Sequence, residues 1–135
     1  MRLTRLAPLA LLALVAIFIR PLLAADADAN FAKWWAGFQT AVATRDAKTV
    51  AQQTHFPLSW ENGPIREIKT EAEFVKGFDT YFTAEIRKAI AAGKPERLPD
   101  GTYTITWTAR GNEYSLYFKP QGPGFVLDAL SEGPA

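Results

Sequence analysis

Between Phe56 and Ile90 the hydrophobic period of the chain changes from two to 3.6. Phe56, Leu58 and Trp60 alternate with Pro57, Ser59 and Glu61, the pattern of a half-buried strand. Pro57 cannot donate to a ladder, which predicts a strand at an edge or one beginning there. Asn62-Gly63 supplies the positive-φ pair of a tight hairpin, with Pro64 making the return irregular. Ile65 and Ile68 are three apart, so the return strand is expected to be bulged or short. Thr70-Glu71-Ala72-Glu73 has the spacing of a capping box. The helix behind it places Phe74, Phe78, Tyr81 and Phe82 on one side with Val75 bordering them. Gly77 is its weak point, Thr83 can cap a fresh start carrying Ile86, Ala89 and Ile90 inward, and Gly93 with Pro95 stops it.

Upstream, Phe31, Trp34, Trp35, Phe38 and Val42 fall at i, i+3, i+4, i+7 and i+11, one apolar stripe on a helix from about Asn30 to Ala43, with Asp28 or Asn30 as its cap. Asp46 can cap a second, shorter helix with Ala47, Val50 and Ala51 inward. Downstream of the polar connector 94–100 the period returns to two. Tyr103, Ile105 and Trp107 oppose Thr102, Thr104, Thr106 and Thr108; Tyr114, Leu116 and Phe118 continue the alternation; Phe125, Leu127 and Ala129 oppose Val126 and Leu130 in a last strand. The pattern predicts an α+β domain of order α-α-β-β-α-β-β-β over residues 30–131, with a frayed tail over 132–135.

Composition changes this picture mainly at the N-terminus. Arg2 and Arg5 precede an uncharged apolar run from Leu6 to Ile19, and small residues follow at Ala24, Ala25 and Ala27, the layout of a secretory signal peptide. The run is shorter than the roughly 20 residues that a membrane-spanning helix needs. The expectation is a signal peptide over 1–24, cleaved after Ala24 or within Ala25–Ala27, then a disordered leader over 25–29 and a periplasmic or secreted product with no stable membrane insertion. The alternative is a retained anchor, because Arg20-Pro21 lies close to the cut.

Of 15 basic residues, Arg2, Arg5 and Arg20 precede residue 25, leaving 12 against 14 acidic ones in the remainder. With Lys and Arg scattered, a nucleic-acid surface is not expected. The chain has no cysteine, which excludes disulfides, thiolate metal sites, a cysteine nucleophile and a lipidated cysteine. With one histidine, His55, a metal site would have to be built almost wholly from carboxylates, and neither metal nor cofactor is expected.

The order of elements, together with Phe31 to Phe38, Arg45-Asp46-Ala47, Phe56-Pro57-Leu58, Glu73-Phe74 and Phe78-Asp79 with Phe82, resembles small exported bacterial members of the nuclear transport factor 2-like superfamily, also called the cystatin-like fold. The resemblance spans the chain beyond the signal segment. It implies a curved antiparallel sheet wrapped around about three helices, with a cone-shaped pocket between them. Members include ketosteroid isomerase, dehydratases, polyketide cyclases and domains without chemistry, so the fold implies no single activity.

Two functional readings follow. The first is a non-enzymatic binding or accessory domain whose pocket, lined by Trp34, Trp35, Trp60, Tyr81, Tyr103 and Trp107, takes a small apolar ligand, and whose threonine-rich sheet face, with Thr104, Thr106 and Tyr117, packs on a partner or a second copy. The alternative is a pocket enzyme of isomerase or dehydratase type using His55, Asp79 and a tyrosine, Tyr81 or Tyr103. The segment Thr54-His55-Phe56-Pro57, where the isomerases carry their base, holds no carboxylate. The enzyme reading requires His55 and Asp79 to converge on one cavity.

Overall fold

A computed structural model describes residues 27–135. The expected signal peptide and the first two residues of the leader lie outside the described residues. The chain divides after Lys33 into two units. Of the first, the described residues 27–33 are helical, so the leader is helical from residue 27 onward; in the second, residues 34–43 are helical and are labelled α1.

Beyond Lys33, α1 carries its aromatic stripe as the sequence implies. Trp35, Phe38, Ala41 and Val42 are buried, while Trp34 is half-buried. Helix α2, Ala47–Gln52, starts at Asp46, whose carboxylate accepts the Thr49 N–H. Strands β1, Thr54–Asn62, and β2, Ile65–Ile68, form the hairpin, with Gly63 at φ 60 in the turn. The next helical region is three pieces. Thr70 caps α3, Glu71–Lys76, by accepting the Glu73 N–H, and the Glu73 carboxylate reaches back to the Lys69 N–H at 3.3 Å. Gly77 separates it from α4, Phe78–Tyr81, and Thr83 caps α5, Ala84–Ala92, by accepting the Ile86 N–H.

Four strands complete the order: β3, Glu96–Arg97; β4, Tyr103–Ala109; β5, Asn112–Gln121; and β6, Gly124–Pro134. The described residues thus hold five helical segments rather than about three, and β3 is an element that the period did not announce. All six strands form one curved sheet in the order β2-β1-β6-β5-β4-β3. It is mixed, not antiparallel throughout, because β6 returns alongside β1 in parallel.

Pro57 is accommodated differently from expectation. β1 lies inside the sheet, between β2 and β6. Its pairing with β2 begins only at Leu58, and its register with β6 slips between Thr54 and Ser59, so Pro57 falls where neither ladder requires an N–H. The β2 return is short and its register slips between Ser59 and Asn62, as the Ile65/Ile68 spacing implies. In β6, Tyr117 opposes Ala129 while Phe118 opposes Leu127, which leaves Asp128 as an extra residue. Leu127 and Leu130 therefore both reach the core, and Ala129 turns to the other face with Tyr117. Nor is the tail frayed from 132: Pro134 still pairs with Asn112, and the Glu132 carboxylate accepts from the Gly63 N–H and the Asn112 side-chain amide, each at 3.0 Å.

The helices beyond Lys33 cover one face of the sheet, with two aromatic clusters between. In one, Phe118 meets Trp34, Trp35 and Phe38 with ring centroids 5.7, 5.1 and 5.4 Å away. In the other, Phe82 stacks on Phe78 at 4.6 Å and meets Phe74 and Trp60 at 5.6 and 5.2 Å. Each fully buried ring of this kind contributes about 1.5–3 kcal/mol by removal from water. The opposite face bears rows of small and polar residues: Ser59, Ala129, Tyr117 and Thr104 lie across neighbouring strands, as do Ser131, Ser115 and Thr106.

Candidate binding groove

Where α5 ends and the chain turns toward β3, the sheet and the helix part. Gly93 comes so close to β4 that an added Cβ would meet the Ala89 carbonyl oxygen at 2.9 Å and an Ile105 methyl at 3.1 Å, which is why a glycine stands at this helix end. Beside it lies a groove of about 380 Å³, lined by Ala89, Ala92, Gly93 and Lys94 on one side and Ile105, Thr106 and Trp107 on the other. That volume is in the range of small-molecule sites.

Trp107 forms the rigid wall. Its indole N–H donates to Glu85 Oε1 at 3.2 Å, from strand to the first turn of α5, and its ring stacks on Tyr114 at 5.7 Å with planes 16° apart. Arg110 closes the arrangement from the β4–β5 turn, where its backbone is left-handed at φ 54. Its guanidinium grips both oxygens of Glu85, donates to the Tyr114 hydroxyl at 3.0 Å, and sits 5.6 Å from the centre of that ring. The Arg110 hydrogen bonds hold the Glu85 carboxyl below its ordinary range; partial burial opposes this, and the Trp107 N–H adds to it. The same carboxylate, with the Tyr114 hydroxyl, raises the guanidinium's affinity for its proton.

At the groove's other end stands Lys94, exposed and without a carboxylate partner among the described residues. Thr106 lines the groove through its main chain, since its hydroxyl is within 3.0 Å of the Ser115 hydroxyl on the opposite face. A wider depression of about 550 Å³ lies at Lys48, Glu71, Ala72, Val75 and Lys76, where Val75 is 38% exposed, but no held aromatic or hydrogen-bonded carboxylate lines it.

The six aromatic residues expected to line one pocket occupy four places. Trp34, Trp35 and Tyr103 share one cluster, joined through Phe118 and through Phe125, whose ring is 6.0 Å from Trp34 and 5.6 Å from Tyr103. Trp60 is fully buried against Phe82, and its indole N–H has no partner among the described residues. Tyr81 lies against Gly77 and donates to Glu73 at 3.4 Å; partial burial, then the Glu73 charge, raises its pKa above the ordinary value. Trp107 alone of the six lines the groove.

The polar candidates stand apart. His55 is on the outer face of β1, its Nδ1 4.0 Å from Asp128 Oδ1, an oxygen that also accepts from Lys119 Nζ at 3.0 Å. Asp79 is exposed on α4, and no hydrogen bond or ion pair joins it to His55 among the described residues. Neither residue lines the groove. Among the described residues, no three His, Asp or Glu side chains are grouped to hold a metal ion. No helix among them is long and apolar enough to cross a membrane.

Sequence reasoning passed over Glu85, Arg110, Lys94, Ala89, Ala92 and Ile105 as site residues. The one signal available was the helix stop at Gly93 and Pro95, which marks where α5 leaves the sheet. The groove presents an apolar floor at Ala89, Ala92 and Ile105, the hydrogen-bonded indole of Trp107 as one wall, and the exposed Lys94 ammonium. No family profile, characterised protein or solved structure compared with the chain matches it.

Proposed function

We propose that this chain is a non-enzymatic binding domain of the nuclear transport factor 2-like kind, and that its ligand seat is the groove between α5 and β4. The observation that carries this reading is Trp107, immobilised by Glu85 and Tyr114 yet still lining an open groove of about 380 Å³. A wall fixed before the ligand arrives loses little freedom on binding. The ligand chemistry that fits is an apolar group with a carboxylate beside it, the apolar group over Ala89, Ala92 and Ile105 and the charge at Lys94. His55 lies beside Asp128 on the outer sheet face and Asp79 on α4, and neither lines the groove, which supports binding over acid–base catalysis.

The test is a titration with octanoate, followed through the indole N–H resonance of Trp107. Saturable shifts at Trp107 that weaken in Ala92→Trp, which fills the groove, are expected. An unshifted Trp107 resonance at millimolar octanoate removes the proposal.

A second reading, a homodimer through the outer sheet face, is favoured by the row Ser59, Ala129, Tyr117 and Thr104, in which the Thr104 hydroxyl is buried without a partner among the described residues. A sedimentation mass of one chain at high concentration refutes it. For export, the basic, apolar and small-residue order before Asp26 supports a periplasmic or secreted product; N-terminal sequencing of the cellular protein decides it.

A further inference from the structure

The groove borders an unfilled half of a β-ladder. The Leu98 N–H donates to the Thr102 carbonyl at 2.7 Å, and Glu96 pairs with Thr104, so even-numbered residues of this stretch turn their N–H and C=O toward the β3 side. In the same register Lys94 would face Thr106 and Ala92 would face Thr108. Ala92 instead ends α5, and Gly93 and Lys94 leave the ladder. The main-chain groups of Thr106 and Thr108 therefore point to an edge where, among the described residues, no strand lies.

The two edges of the sheet differ in how they are protected. β2 is four residues long, follows Pro64 and carries Arg66 and Glu67, features that blunt an edge against pairing. The open half of β4 carries threonines at its exposed positions and neither proline, lysine nor bulge; its register with β5 is unbroken from Tyr103 to Ala109. Such an edge is a template for an added strand.

We infer that the groove and the open half of β4 together take an extended peptide segment of a partner protein by strand addition, with Thr106 and Thr108 supplying the main-chain hydrogen bonds. This rests on the groove being a ligand seat, and it names the ligand. Side chains alternate along an added strand, so its residues opposite Ile105 and Trp107 enter the groove, while those opposite the threonines face away. The groove positions take apolar side chains, against Ala89 and Ala92. Charge complementarity sets the flanking residue: Lys94 has no carboxylate partner among the described residues, whereas Arg110 at the other end already holds Glu85. The segment is therefore apolar at alternate positions and acidic where it passes Lys94.

The test uses the full chain and a displayed library of random heptapeptides, with octanoate as a separate small probe. Enrichment of alternating apolar sequences with an acidic residue at one end is expected, with amide shifts at Thr106 and Thr108. Methylating the peptide nitrogen that donates to the Thr106 carbonyl should weaken binding about tenfold, the size of one lost main-chain hydrogen bond. This change leaves the protein untouched, so a misfolded variant cannot imitate it. If octanoate binds at Trp107 but no peptide is enriched, or the methylated peptide binds equally well, strand addition is wrong and the groove reading survives. If neither octanoate nor peptide binds, both fall. Concentration-dependent broadening at Thr106 and Thr108 with a two-chain mass assigns the edge to a second copy and overturns the peptide proposal.

Discussion

Trp107 on β4 donates its indole N–H to the Glu85 carboxylate on the first turn of α5, across 3.2 Å. That bond joins residues 22 positions apart in sequence and sets the wall of the groove. Because Arg110 holds the same carboxylate, the wall depends on Glu85 being ionised.

The sign of the pH dependence follows. The folded-state pKa of Glu85 lies below its ordinary 4.5, so its ionised form stabilises the fold above the unfolded value, and the contribution is lost as pH falls through the folded value. The Glu85 side chain is one-third exposed, so solvent screening keeps the effect to at most about 1 kcal/mol. Urea midpoints measured at pH 7 and below pH 4 should converge more closely in Glu85→Gln than in the wild-type chain.

Phe118 touches three rings of the first aromatic cluster and is fully buried. Phe118→Ala should lose about 3–5 kcal/mol in urea unfolding, and Phe78→Ala, 4% exposed and stacked on Phe82, a similar amount. Val75→Ala, at an exposed position, should stay within about 0.5 kcal/mol. A Phe118→Ala loss below about 1 kcal/mol would mean that this cluster does not hold the helix to the sheet.

Trp60 separates volume from polarity. Its ring fills the second cluster, but its N–H is buried without a partner among the described residues. Trp60→Phe removes an unsatisfied donor and keeps most of the aromatic volume, so it should cost less than about 1.5 kcal/mol, against about 3–5 for Trp60→Ala. Equal losses in thermal or urea unfolding would show that the N–H is bonded after all.

Thr70→Ala tests the short helix α3, whose cap accepts the Glu73 N–H at 3.2 Å. A loss of about 1 kcal/mol is expected in urea unfolding, because α3 has only six residues to distribute it over. His55→Ala, on the outer face, should change stability by no more than about 0.5 kcal/mol and leave octanoate binding unaltered. A His55→Ala chain that no longer binds would move the site to the sheet's outer face.

Element types were legible wherever one face of an element is buried. The Trp35/Phe38/Val42 stripe, the Thr70 and Thr83 caps, the break at Gly77 and the alternation of β4 all follow from local period and capping chemistry. What the sequence hid was set by strand partners. The parallel return of β6 beside β1 relieves Pro57 of its ladder bond, and the extra residue at Asp128 turns Ala129 outward, and neither has a local signature. The spread of the expected pocket residues over four places has a related reason. Trp34, Trp35, Trp60 and Tyr103 read equally well as lining or as core, since an aromatic ring satisfies both. Only the third dimension shows which rings meet one another and which, like Trp107, border open space.

The most direct measurement on the groove is ¹⁵N-resolved spectroscopy of the four tryptophan indoles during an octanoate titration, with Lys94→Ala alongside. The predicted result is a saturable shift of the Trp107 indole, with Trp60 unmoved and the affinity lowered about three- to tenfold in Lys94→Ala, the worth of one charge-assisted hydrogen bond at an exposed site. A Trp107 resonance that stays fixed while Trp34 or Trp35 moves would contradict it and place the ligand in the aromatic cluster around Phe118.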